Sequence, residues 1–238
     1  MRNVATLVQR ELGAYFLSPI AYALLVIFLV LTGWAFSGGT FHQGGDASLR
    51  GLLELSPLIL LCLIPFLTMR LISEEFRSGT IETLMTVPVS DVDVVLGKFL
   101  GAVAFFVVLL LGTVPYPIIL SMYGPVDPKL LLCHYVGLLL LGSLYISVGL
   151  FFSAWTKHQL IAGMLSVVVL AVMTYLTRSI ADHVEGWPKA VLQQLSVFSH
   201  FGDFVRGLID FNHVVFFVTM TALFLFLSVK VLEVRRWR

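Results

Sequence analysis

Six long apolar runs dictate what this chain can become. They cover residues 19–37, 51–72, 94–122, 130–155, 160–180 and 214–232, and about 20 mainly apolar residues suffice to cross the hydrocarbon of a bilayer. Lipid offers a backbone amide no hydrogen-bond partner, so each run must satisfy its own backbone as a helix. The residue-by-residue alternation of a transmembrane barrel is absent. Charge agrees: 12% of residues are charged, about half the share usual in soluble domains. The expected fold is an all-α polytopic membrane protein with six transmembrane helices, forming a single domain over residues 1–238. The opening MRNVATLVQRELGAYFLSP lacks the basic start, short apolar core and cleavage site of a signal peptide, so the first run is expected to persist in the mature chain.

Six crossings place both termini on one side. With the termini in the cytoplasm, Arg2, Arg10, Arg70, Arg77, Lys98, Lys157, Lys230, Arg235, Arg236 and Arg238 fall inside. Arg50, Lys129, Arg178, Lys189 and Arg206 fall outside. A two-to-one excess of Lys and Arg favours this orientation. It makes the chain a multi-pass membrane protein with residues 73–90 and the turn 155–159 cytoplasmic.

The connecting pieces differ in kind. Residues 1–18 collect Val4, Leu7, Val8, Leu12 and Tyr15 loosely on one side, which predicts an interfacial helix. Residues 38–50 form a Gly-rich loop, and YGPVDPK at 123–129 a tight turn. Residues 181–212 repeat Leu192, Leu195, Phe198, Phe201, Phe204 and Leu208 every three or four positions, which predicts an external amphipathic helix with Gly202 as its candidate break. Pro57, Pro65, Pro115 and Pro117 predict kinks in the second and third runs. Gly97-x-x-x-Gly101 and Ser143-x-x-x-Ser147 offer surfaces for close helix approach.

Several function classes fall away. No acidic residue lies near the middle of a run, Glu54 coming nearest, whereas ion-coupled carriers usually keep a charge at depth. No H-E-x-x-H occurs, and His183, His200 and His213 share one side without ligand spacing, so they read as solvated or interfacial. Lys98 follows Gly97, but Val92 and Phe99 occupy positions a P-loop gives to Gly and Ser/Thr. Cys62 and Cys133 sit in apolar runs and read as buried inert thiols. Basic residues are dispersed, so no nucleic-acid surface is expected.

What remains is a polar island, ISEEFRSGTIETLMTVPVS at 72–90. Ser73 is placed to cap a short helix carrying Glu74 and Glu75 in its first turn, and Gly79 interrupts it. Thr80 can cap a second helix over 81–86, which Pro88 ends. Ser90 and Asp93 form a capping box that opens the third run. A helix of two turns is not stable alone in water, so this one needs packing or a partner.

Residues 74–101, EEFRSGTIETLMTVPVSDVDVVLGKFLG, resemble the first cytoplasmic loop of ABC-2 type transporter permeases. The matching positions are Gly79, Thr80, Ile81, Glu82, Leu84, Met85, Pro88, Val89, Gly97 and Lys98. RELGAYFLSPIAY at 10–22 and LSVFSHFGDFVRGLID at 195–210 resemble the compact gliding-associated branch; neighbouring branches, including those serving copper-site maturation, share the loop. The resemblance implies a coupling helix over 80–87 seated in a groove of a separate ABC ATPase, with Ile81, Leu84 and Met85 as anchors. It assigns polar contacts to Thr80, Glu82, Glu74, Glu75 and Arg77, and an interfacial contact to Arg10 and Glu11. It also implies two permease copies, two ATPase copies, and ATP and Mg bound only by the ATPase, this chain being no enzyme and holding no cofactor. The expected function is the permease subunit of an exporter. A second reading is a mechanotransmission complex that acts through residues 181–212 on an envelope or periplasmic accessory protein and transports nothing.

Overall fold

Each apolar run is helical in the computed structural model, which describes residues 2–40, 49–79, 90–123, 127–183, 187–208 and 210–236. Among the described residues, six helical segments are long and apolar enough to cross a membrane: Pro19–Gly38, Arg50–Ser78, Asp91–Ser121, Pro128–Trp155, Gln159–Ala181 and Phe211–Arg235. Helix α1 (Arg2–Leu17) leads into α2 (Pro19–Thr40). The second crossing is α3 (Arg50–Thr68), followed after a turn by the short α4 (Ser73–Ser78). The third is α5 (Asp91–Leu111) and α6 (Pro115–Ser121), and the fourth is α7 (Pro128–Trp155). The fifth runs from α8 (Gln159–Ala171) through a π-helical turn at Val172–Leu176 into α9 (Thr177–His183). Helices α10 (Trp187–Leu195) and α11 (Val197–Val205) precede the last crossing, α12 (Phe211–Arg236).

Helix α7 is the central post, packed against α3, α5, α8, α11 and α12. Small residues let the neighbours in. A methyl group at Gly149 would lie 2.0 Å from Thr68 Oγ1, and one at Gly142 2.1 Å from the Phe106 ring. Glycine there is a condition of the helix spacing. Tyr145, wholly buried, shares a 2.7 Å hydrogen bond with Thr174 inside the π-helical turn. That bond anchors an irregularity of a kind often found at functional positions.

Two of the capping signals hold. Ser90 and Asp93 make the reciprocal capping box, and Gly79 ends α4 in the left-handed conformation with φ 73°. Ser73 departs from expectation. Its hydroxyl donates backwards to the Met69 carbonyl and does not cap α4. The buried amides of this turn are served from α7 instead: Ser153 Oγ accepts from Ile72 N at 3.0 Å and Ser73 N at 3.1 Å, and donates to Met69 O. One buried hydroxyl thus satisfies a non-helical backbone that lipid could not.

Prolines act unevenly. Helix α3 continues through Pro57 and Pro65. The third crossing instead breaks at residues 112–114, because Pro115 and Pro117 cannot donate to the carbonyls of Leu111 and Thr113. Tyr116 Oη donates to Leu29 O at 3.1 Å and contacts Thr32 Oγ1 at 3.1 Å, while Thr113 Oγ1 meets Tyr135 Oη at 3.0 Å. The segment before α12 is also corrected: it is two helices separated at Ser196, which caps α11, and Gly202 lies within α11. Val197, Phe201 and Phe204 are its buried face, with Phe204 against Gly137 of α7. Cys133 is buried as expected, whereas Cys62 is exposed on the bundle surface.

Candidate functional site: an ion-pair cluster at the terminal end

Helix α1 packs along the start of α5, at the end of the bundle where α12 closes. The Gly97 and Gly101 pair makes the seat. Methyl groups there would stand 2.7 Å from the Cβ atoms of Leu7 and Glu11, one turn apart on α1. This close approach brings the Glu11 carboxylate over Lys98.

Lys98 is only 3% exposed. Its ammonium contacts Glu11 Oε1 at 3.1 Å and Glu75 Oε1 at 2.7 Å, and so joins α5 to α1 and α4. Arg10 adds a second cation, 3.3 Å from Glu11 Oε1 and 3.6 Å from Glu75 Oε1. Two cations thus share two carboxylates, and neither glutamate is left to face a low-dielectric surrounding alone. Glu75 Oε2 is buried without a hydrogen-bond partner among the described residues. The cluster lines a cavity of about 540 Å³ with an apolar floor that includes Ala21, Leu24 and Leu67. At its edge Tyr15 stacks on Phe105, 4.9 Å between centroids, and donates to Leu67 O. Burial, reinforced by the Glu11 charge, holds the Tyr15 phenol far above its ordinary range, so it stays neutral.

The last crossing closes the same end. The Arg235 guanidinium lies 4.6 Å from the centre of the Phe76 ring on α4 and donates to the Trp155 carbonyl at the end of α7.

Of the residues singled out from sequence, Arg10, Glu11 and Glu75 come together in the cluster. Glu74 stands beside it, paired with Arg70 at 3.3 Å, and Arg77 is exposed on the outer side of α4. Thr80, Ile81, Glu82, Leu84 and Met85, with the coupling helix expected over 80–87, lie outside the described residues. Lys98, in sequence one more basic residue on the cytoplasmic side and a motif position, is the centre of the cluster. A lysine two turns inside an apolar helix demands counter-ions, and that signal was available.

At the opposite end His200 and His213, expected to be solvated or interfacial, are instead in contact, Nδ1 to Nδ1 at 2.6 Å. His213 Nε2 meets Asp203 Oδ2 at 2.7 Å, and His200 Nε2 donates to Gln194 O at 2.9 Å. Both ring nitrogens of each histidine are therefore engaged within the protein.

These features define a multi-pass, all-α membrane protein whose leading helix is locked by charge to its third crossing. A family model described as ABC-2 family transporter protein matches residues 13–173. The chain belongs to that family, as a transmembrane subunit of an ABC transporter. No curated protein matches the chain.

Proposed function

We propose that this chain is the permease subunit of an exporter in a bacterial inner membrane, with both termini cytoplasmic, working as a homodimer with two copies of a separate ABC ATPase. ATP and Mg are bound by that ATPase and none by this chain. The observation that carries the reading is the buried Lys98 bridge. It ties α1, α4 and α5 into one rigid unit on either side of residues 80–89, the segment resembling a coupling helix. Force applied there by closing ATPase subunits would reach the second and third crossings together. Thr80, Ile81, Glu82, Leu84 and Met85 provide the docking surface. Glu74, Glu75 and Arg77, which precede it in the chain, add polar contacts to the ATPase, and Arg10 and Glu11 add an interfacial one. The compact gliding-associated branch belongs to this proposal through residues 10–22 and 195–210.

The test is reconstitution with a candidate ABC ATPase partner from the same cell. E82A combined with M85R is expected to abolish co-purification of the ATPase while the permease still inserts. K98Q is expected to keep the ATPase bound but lose stimulated hydrolysis and cargo movement. Unaltered co-purification in the first variant would refute the docking surface, and unaltered stimulation in the second would refute the role of the Lys98 bridge.

One observation favours a mechanotransmission reading. Helix α7 meets α4 through Ser153 at one end and α11 through Cys133, His134 and Gly137 at the other. A displacement of α4 is thereby connected to α11, the surface that an envelope partner would contact. Vesicles that hydrolyse ATP at full rate yet move no lipid or glycan cargo would select this reading over export.

A further inference from the structure

A second cavity, of about 590 Å³, lies at the end of the bundle opposite the Lys98 cluster. Its volume is within the range of ordinary ligand pockets. Three arginines from three elements line it: Arg50 at the start of α3, Arg178 on α9 and Arg206 just after α11. Two acids share the lining, and both are engaged. Glu54 pairs with Arg50 at 2.8 Å. Asp203 lies 2.7 Å from His213 and 3.5 Å from Arg206. Among the described residues Arg178 has no carboxylate partner; its guanidinium instead lies 4.2 Å from the centre of the Phe198 ring.

Stacking occupies the face of a guanidinium and leaves its N–H donors free in the plane, in the fork that matches two oxygens of one anion. Among the described residues, three cations against two carboxylates leave the lining with one positive charge in surplus. Depth narrows the choice of anion. Arg50 opens the second crossing and Arg178 stands three residues before the close of the fifth, so both sit where an apolar span gives way to lipid headgroups. Ala181, Phe198 and Phe201 line the same cavity and offer apolar contact beside the charge.

We propose that this cavity binds the phosphate group of an anionic phospholipid, with Arg178 as its principal ligand and Arg206 as its second. The site is remote from the ATPase-facing end, so it stands or falls independently of the transport reading.

The experiment uses the full chain, delipidated in detergent, with native mass spectrometry reading retained lipid. Phosphatidylglycerol is expected to bind saturably and dioleoylglycerol, which lacks phosphate, not to. R178Q is expected to weaken phosphatidylglycerol binding at least tenfold and R206Q several-fold, whereas K129Q, on the same side of the bilayer, leaves it unchanged. R178K should recover only part of the loss, because an ammonium cannot form the fork. Inorganic phosphate separates the sources. Failure to displace the lipid at millimolar concentration assigns the site to a headgroup, and full displacement assigns it to phosphate as such. Equal binding of phosphatidylglycerol to wild type, R178Q and R206Q, or equal binding of dioleoylglycerol and phosphatidylglycerol, overturns the proposal. Thermal transitions recorded on each variant ensure that folded protein is compared, and R206Q decides alone if R178Q does not fold.

Discussion

Lys98 shows how one side chain can commit three helices to a single arrangement. Its ammonium is buried and its two carboxylates come from segments far apart in the chain. Replacing it with Met removes the buried cation and leaves Glu11 and Glu75 with the more exposed Arg10 as their one remaining counter-ion in the cluster. K98M is therefore expected to cost about 3 kcal/mol of stability, the order found when one partner of a buried pair is deleted. Denaturant titration in detergent measures it, and adding E11Q and E75Q to K98M should recover most of the loss, since only the half-exposed Arg10 charge then remains in the cluster. His200 supplies a second prediction. Burial depresses its pKa, His213 depresses it further, and the Gln194 carbonyl and Asp203 charge only partly oppose them. A depressed value means that the folded state prefers neutral His200. Its contribution to stability is then complete above the ordinary value of 6.5 and is lost as pH falls below it. The melting temperature should drop between pH 7.5 and pH 5.5, and H200Q should flatten that dependence.

Among the helices, the contact between α1 and α5 is sensitive to a small change. An alanine at Gly101 would drive its methyl into Glu11 Cβ at 2.7 Å. G101A is expected to cost about 1–3 kcal/mol and to loosen α1, which limited proteolysis near the N-terminus would detect as earlier cleavage. The Gly97 and Gly101 spacing was legible from sequence as a packing surface, although nothing in it named α1 as the occupant. The capping box at Ser90 and Asp93 and the stop at Gly79 were equally legible, because caps depend on residues a few positions apart. The break at Ser196 was not. The apolar period continues across it, and only the seating of Phe204 against Gly137 on α7 fixes where the chain must turn. The Lys98 cluster escaped for a related reason: its members at positions 10, 11, 75 and 98 are brought together by tertiary packing alone.

In the whole molecule, burial is uneven. The α7 crossing is the most enclosed, while the first, fifth and last leave most of their windows uncovered within the single chain. Those surfaces face lipid or a second copy. The proposed orientation is testable after Cys62 and Cys133 are replaced by Ser. A cysteine at Tyr123 should react with an impermeant maleimide from outside intact cells, and one at Lys157 only after the membrane is opened. The reverse pattern would invert the topology. The order of positions in the Lys98 cluster also bears on biogenesis. Glu11 and Glu75 both precede Lys98 in the chain, so translation has already delivered both counter-ions when that lysine leaves the ribosome. The third helix can therefore enter the bilayer with its charge neutralised from the outset, whereas a circular permutant beginning at residue 90 would have to insert a bare ammonium first.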